Sequence, residues 1–289
     1  MTAHSTRIPL GVPDLDSRLG GGVLPGYTVL TLGELGTGHR EFLFTAALFH
    51  GIHQSGGRLP GRGDAYAGEH IRWPESVHYV SLSQTQEQFE RELSNVINRD
   101  WISPVLDGIE FTSFLEEFAS LSTLARLMAA REKHNGTIDI PVTPQITIED
   151  YRQFLRTLGE FLINHAERNL IIFDGMTSLI PVLSKVFDWQ EMYTLLATYR
   201  QQFSILETVF LTVLDRGLPS RRELEVFKSS YDGVLEFSWG THDGRRERMM
   251  TLLKFRELLS NMEEQELRDY EIDLEWGGVG IKNMRRIAV

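Results

Sequence analysis

The sequence predicts an α/β protein: a central, mostly parallel sheet flanked by helices, with antiparallel strands at its C-terminal end. Three observations carry that reading. Apolar, β-rich runs alternate with helix-period segments over the first ~230 residues. The run Asn169-Leu170-Ile171-Ile172-Phe173-Asp174 is apolar without alternation, as a strand buried on both faces of a parallel sheet requires. Beyond it, Val234–Trp239, Arg248–Phe255 and Tyr270–Trp276 read as strands with no helix between them, which suits an antiparallel extension.

The elements follow in order. Tyr27–Leu32 is a β-rich run that ends in Gly33-Glu34-Leu35-Gly36-Thr37-Gly38, and Phe42, Leu43, Ala46, Ala47 and Phe49 then repeat at helical spacing. Residues 55–76, rich in Gly, Pro and charge, predict a long surface loop. Val77–Ser83 is a second strand, and Thr85 with Gln88 forms a capping box for a helix through Asn98. A short strand is expected in Gly108–Phe114, a helix over Phe114–Lys133, and a loop over Asn135–Pro144. Thr147 with Asp150 at N3 opens a helix to about Glu167. Later come a helix near Asp188–Phe203, a buried strand at Thr208–Leu214 and a helix near Ser220–Ser230. One domain over 1–289 accounts for the pattern, with 55–76 and 133–146 as loop insertions.

Composition narrows the function. With 42% hydrophobic and 24% charged residues the chain is an ordinary globular one. No apolar run approaches the roughly 18 residues of a membrane span, and Met1–Pro9 lacks a signal-peptide core. A cytoplasmic location is expected. The absence of cysteine excludes disulfides, thiolate metal sites and thiol catalysis. A net charge of −11 disfavours nucleic acid as a general partner, since phosphate contacts need clustered Lys and Arg. The basic residues are nearly all arginine, which suits a salt-adapted or GC-rich source as well as a plain acidic cytosolic protein.

The strand, glycine loop and helix over 27–50 have the layout of a Walker A phosphate loop, here Gly33-x-x-Gly36-x-Gly38-His39-Arg40. Glycines let backbone N–H groups turn inward, and a helix N-terminus favours an anion. That half is kept. The motif's lysine is His39, shorter and mostly neutral near pH 7 when unperturbed. Its Mg²⁺-ligating Ser or Thr is Arg40, which cannot coordinate a metal cation. Two readings stand: an anion site, or only a tight strand–helix connection.

The opening Ile8-Pro9-Leu10-Gly11-Val12-Pro13-Asp14-Leu15-Asp16, then Leu19-Gly20-Gly21-Gly22 and Pro25-Gly26, resembles the start of the KaiC-like, RadA-related branch of the RecA superfamily. Tyr79-Val80-Ser81-Leu82, Ile171-Ile172-Phe173-Asp174, Lys254-Phe255-Arg256 and the closing Tyr270–Val289 are similar to later motifs of that family, in the same order. The resemblance implies a RecA-like P-loop fold, ATP bound between subunits, and self-association in a ring or hexamer. It implies that Gly33, Glu34, Leu35, Gly36, Thr37, Gly38, His39, Arg40 and Glu41 cradle phosphates. It further implies that Asp174 holds the water shell of Mg²⁺, and that Lys254 and Arg256 reach a neighbour's γ-phosphate.

After the second strand the family usually carries two glutamates, one activating water, where this chain has Ser83-Gln84. Glutamine cannot take up that proton. Charge clamp, metal ligand and base are therefore altered together, which predicts a regulatory or scaffold pseudo-ATPase with ATP as its nucleotide and Mg²⁺ disfavoured, assembling with itself or an active paralogue. The alternative is a weak ATPase in DNA recombination, repair or signalling, with Glu34 or Glu41 as base. DNA would meet the segments Pro181–Asp188 and Asp215–Arg222, the latter carrying Arg216, Arg221 and Arg222; an ordinary solvated loop is favoured there. His50 and His53 read as solvated rather than metal-binding. Trp101, Trp189, Trp239 and Trp276 are expected to pack the sheet. Arg58, Arg62, Arg72 and Trp73 mark 55–76 as a partner-binding element or a plain surface loop.

Overall fold

The computed structural model describes residues 6–57, 66, 68, 70–123, 125–126, 145–242, 244–256, 269–275 and 277–285. Its strands are β1 (Thr28–Gly33), β2 (Val77–Ser81), β3 (Glu110–Ser113), β4 (Leu170–Asp174), β5 (Val209–Asp215), β6 (Gly233–His242), β7 (Arg245–Phe255), β8 (Asp269–Glu275) and β9 (Gly278–Arg285). They form one sheet in the order β3-β2-β4-β5-β1-β6-β7-β8-β9. Pairing is parallel from β3 through β6 and antiparallel from β6 through β9.

The unalternating strand runs follow from two cores. Val29, Tyr79, Ile172 and Leu211 face one layer, while Leu30, Val80, Phe173 and Phe210 face the other. Successive strand residues point to opposite faces, so both sets must be apolar. The first layer is α2 (His39–Gln54), α3 (Gln86–Val96) and α4 (Ile102–Gly108); the second is α6 (Ile148–Asn164), α7 (Met176–Val186), α8 (Trp189–Ile205) and α9 (Arg221–Ser230). Thr85 with Gln88, Thr147 with Asp150, Asp188 with Glu191 and Ser220 with Glu223 close capping boxes at the starts of α3, α6, α8 and α9.

The opening segment makes a clasp around α1 (Pro13–Arg18). Asp16 is buried and accepts from the N–H of Leu10 at 2.6 Å, the N–H of Gly11 at 2.9 Å and the Tyr66 hydroxyl at 2.8 Å. Gly22 has φ +123°, and a Cβ there would lie 2.1 Å from the Ile8 carbonyl oxygen. The acid and glycine of the opening motif are thus structural.

Several expectations are corrected. The segment Pro181–Asp188 is not a loop: it is helical through Val186, because Leu179, Ile180, Val182 and Leu183 bury in the second core. That burial outweighs the ~3 kcal/mol penalty of Pro181 inside a helix. The helix expected over Phe114–Lys133 is interrupted: α5 (Leu115–Ala119) is followed by turns at 120–121 and helical residues at 123 and 125–126; 127–144, and with them most of the 133–146 insertion, lie outside the described residues. His50 is not solvated, since α2 is buried on nearly every side; its ring Nε2–H donates to the Pro9 carbonyl at 2.8 Å. Trp189 is exposed under Arg222, Trp239 lies against the glycine loop, and Trp276 lies outside the described residues. Within 55–76, Trp73 stacks on His53 at 3.4 Å and Arg72 pairs with Glu207 at 2.6 Å, so the end of the insertion is packed; Arg58 and Arg62 lie outside the described residues.

Candidate functional site

Strand order brings the sequence-distant site residues together. The chain leaves β1 for β2 through α2 in one layer, and leaves β5 for β6 through α9 in the other. Ligand crevices of open α/β sheets lie at the carboxyl ends of strands that part in this way. Register sets Gly33 beside Asp215 and Ser81 beside Asp174 at those ends.

The loop after β1 keeps the geometry of an anion cradle. Gly36 and Gly38 have φ of +77° and +100°, and α2 begins at His39 with no side chain capping its first N–H groups. Trp239 Nε1–H donates to the Leu35 carbonyl at 3.2 Å, and Arg248 Nε–H donates to the Gly36 carbonyl at 3.0 Å. In a trans peptide the N–H opposes the C=O, so the tie on Leu35 sends the Gly36 N–H away from Trp239. These residues fit an anion such as a phosphate. Arg246 and Arg248 lie 4.1 and 5.1 Å from the Trp239 ring centre, so the outer side of the loop is cationic.

His39 does not extend as the motif's lysine would. Its ring is buried beneath Gly33, where a Cβ would stand 2.5 Å from His39 Cγ. Nε2 lies 2.8 Å from Asp215 Oδ1 and Nδ1 lies 3.3 Å from Thr37 Oγ1. The hydrogen bond from His39 holds the Asp215 carboxyl below its usual pKa.

Arg40 lies where the motif's metal ligand would be. One guanidinium nitrogen donates to Asp174 Oδ2 at 3.0 Å and is 3.4 Å from Glu92 Oε2. The Tyr79 hydroxyl donates to the same Asp174 oxygen at 3.3 Å. Burial, and next the negative charge of Asp174, push the Tyr79 phenol well above its ordinary pKa, so it remains a donor. Both partners of the Asp174 carboxylate, a fixed cation and a protonated phenol, donate to it, and a guanidinium at this place does not fit Mg²⁺. Among the described residues no group of three or more His, Asp or Glu is arranged to hold a metal.

Gln84 is buried and donates to Glu92 Oε2 at 2.9 Å, while Ser83 is exposed with its N–H on Ser81 Oγ at 3.2 Å. Asp174, Arg40, Glu92 and Gln84 therefore form one chain of contacts. Glu34 is exposed and Glu41 half-buried, and neither enters that chain.

The remaining candidates lie elsewhere. Lys254 Nζ donates to the carbonyls of Lys228 at 3.1 Å, Ser229 at 2.9 Å and Tyr231, capping the C-terminal end of α9. Burial, then the Arg256 charge, lower its pKa to about 8. Arg256 is half exposed, 3.9 Å from Asp232. Arg216 pairs with Glu236 at 3.0 Å, Arg222 covers Trp189, and Arg221 is exposed.

Sequence reasoning missed Tyr79 as a partner of Asp174, and also Glu92, Asp215, Trp239 and Arg248. Each comes from a separate element, so no local pattern marks it. The register of β1 with β5 was the one signal that would have found Asp215.

Neither a protein-family model nor a curated protein matches the chain. Two solved structures are similar. The KaiC-like protein PH0186 from the hyperthermophilic archaeon Pyrococcus horikoshii OT3 superposes with a TM-score of 0.58 at 16% identity, over 96% of this chain and 100% of that one. The flagellar accessory protein FlaH from Methanocaldococcus jannaschii does so with a TM-score of 0.53 at 15% identity, over 95% and 96%. No helix of the described residues is long and apolar enough to cross a membrane. The strand order and both superpositions show that this chain has a RecA-like fold, shared with these two structures.

Proposed function

We propose that this chain binds a nucleoside triphosphate without a metal ion and does not turn it over, acting as a regulatory or scaffold protein. The observation that carries this is the 3.0 Å contact of Arg40 with Asp174 Oδ2. A guanidinium already neutralises the carboxylate that would hold the metal's water shell, and it has further donors for a phosphate. With His39 turned to Asp215 and Gln84 in place of an acid, charge clamp and base are both absent from the phosphate side. Each such element supplies much of phosphoryl-transfer catalysis. Assembly with a second copy or an active paralogue is consistent with the exposed Arg256. DNA is the weaker partner, because Arg216 is paired and Arg222 rests on Trp189.

One observation favours a second reading. Glu92 brings a carboxylate to the site through α3 and could replace the missing base of a slow ATPase. Its engagement by Arg40 and Gln84 weighs against this. The test is ATP affinity with Mg²⁺ and with EDTA, followed by phosphate release. Equal affinity and no release are expected. A strict Mg²⁺ requirement overturns the first reading, and steady release abolished by Glu92→Gln establishes the second.

A further inference from the structure

A cavity of about 300 Å³ lies away from the glycine loop, between α6, α7, α8 and the second face of the sheet. Leu158, Leu162, Leu179, Leu183, Phe203 and Phe210 give it apolar walls. Interiors pack at nearly crystalline density, so a void this large is the size of a ligand site rather than a packing fault. It is twice the roughly 150 Å³ that an engineered apolar cavity offers to benzene, room for about a dozen carbon atoms.

The polar groups of the wall are few, and its charged ones are all cationic. Arg152 and Arg156, one helical turn apart on α6, line the cavity, and Arg200 lines it from α8. Two like charges at that spacing repel each other. Their acid neighbour is Glu149, at 3.9 Å from Arg152 and 3.8 Å from Arg156, and both side chains are 57% exposed. Arg156 also donates to Gln153 at 3.0 Å. Contacts so long and so wet hold the guanidiniums weakly. Arg200 has Asp232 at 3.8 Å and the Ser230 carbonyl at 3.5 Å. The Tyr199 ring crosses the gap between α6 and α8 because residue 159 is glycine; a Cβ there would stand 2.1 Å from its hydroxyl.

We infer that this cavity is a binding site for a single amphiphile, an aliphatic chain of about a dozen carbons with an anionic carboxylate or phosphate head held by Arg152 and Arg156. The walls exclude a polar body, and the arginines select the charge of the head. Phe173 and Met176 form part of the wall and flank Asp174-Gly175, so an occupant touches the backbone that sets Asp174.

The experiment uses the full chain, with dodecanoate, dodecyl phosphate and dodecanol below their aggregation limits, read by calorimetry and thermal melting. One anionic amphiphile per chain with a raised melting temperature is expected, and the tighter of the two anions identifies the head. Arg152→Glu with Arg156→Glu weakens both anions at least tenfold and leaves dodecanol unchanged. Leu195→Trp, which fills the cavity from α8, abolishes all binding; if that variant does not fold, the arginine pair decides. No thermal shift, dodecanol binding as tightly as the anions, or many molecules per chain indifferent to both variants overturns the assignment.

Discussion

Arg40 and Asp174, 134 positions apart in sequence, meet at 3.0 Å across the ends of α2 and β4. The carboxylate is almost enclosed, with 8% of its side chain exposed, while the arginine side chain is 38% exposed. Removing the cation leaves a nearly buried charge supported by Tyr79 alone among the polar contacts of its carboxylate. Arg40→Ala is therefore expected to cost about 1–3 kcal/mol, below the figure for a fully buried pair because solvent reaches the arginine. Arg40→Ala with Asp174→Asn should cost less than the sum of the two single changes. Urea unfolding of the cycle checks this, and additivity would show that the two residues do not interact.

His39→Lys with Arg40→Thr restores the residue types of the phosphate-loop motif. The pair should convert metal-independent ATP binding into binding strengthened at least tenfold by Mg²⁺, because the threonine hydroxyl and the freed Asp174 then supply oxygen ligands. Titration of ATP with and without Mg²⁺ reads the outcome. Unchanged metal dependence would mean that Arg40 does not stand in the metal's place.

Lys254 caps three carbonyls at the end of α9, whereas Arg256 has one long contact in solvent. Lys254→Ala should lower stability by about 1–2 kcal/mol, and Arg256→Ala by less than ~0.5 kcal/mol. A lysine that serves a neighbour's nucleotide instead would show lost ATP affinity at unchanged stability. Parallel melting and ATP titration of both variants separate the two roles.

His50 is buried, and burial lowers its pKa from 6.5 to about 4. The native ring is neutral, donating through Nε2–H to Pro9. Between pH 6.5 and 4 the unfolded chain takes up the proton that the native chain refuses, so stability is full above pH 6.5 and falls as the pH drops. The difference corresponds to ~3 kcal/mol at about 1.4 kcal/mol per tenfold. Asp16, pushed up to about 7 by burial, acts with the opposite sign over the whole of that window. The readout is therefore the difference between wild type and His50→Gln, whose amide N–H can still reach Pro9. That difference should shrink steadily below pH 6.5, and a constant difference would place the titrating group elsewhere.

What the sequence shows clearly is what is local or doubly buried. Leu170–Asp174 reads as a central strand because both its faces are covered, and Thr85–Gln88 and Thr147–Asp150 announce helix starts because capping needs four residues only. The glycine loop and Asp174 are legible for the same reason. Glu92 and Asp215 are not, since sheet order and register alone carry them to Arg40 and His39. Pro181–Asp188 misleads in the other direction: the family resemblance implies a loop there, and burial of α7 keeps the segment helical through Val186. His50 misleads because α2 carries a polar residue into a helix that is buried almost all round.

Gly33 ties the strand end to the altered histidine. Its backbone has no left-handed φ, so the requirement for glycine is one of space: an added Cβ would stand 2.5 Å from His39 Cγ and 2.6 Å from Nδ1. The ring cannot retreat, because Nε2 is held by Asp215 and the Phe237 ring centre is 6.5 Å from its own. Gly33→Ala should therefore destabilise by about 1–3 kcal/mol, the range for overpacking a closed interior. In a His39→Gly background the same change should cost less than ~0.5 kcal/mol, because both the ring and the His39 Cβ, which would stand 2.7 Å from the added Cβ, are gone. Equal costs in the two backgrounds would show that glycine is required by the loop's path and not by the inward turn of His39.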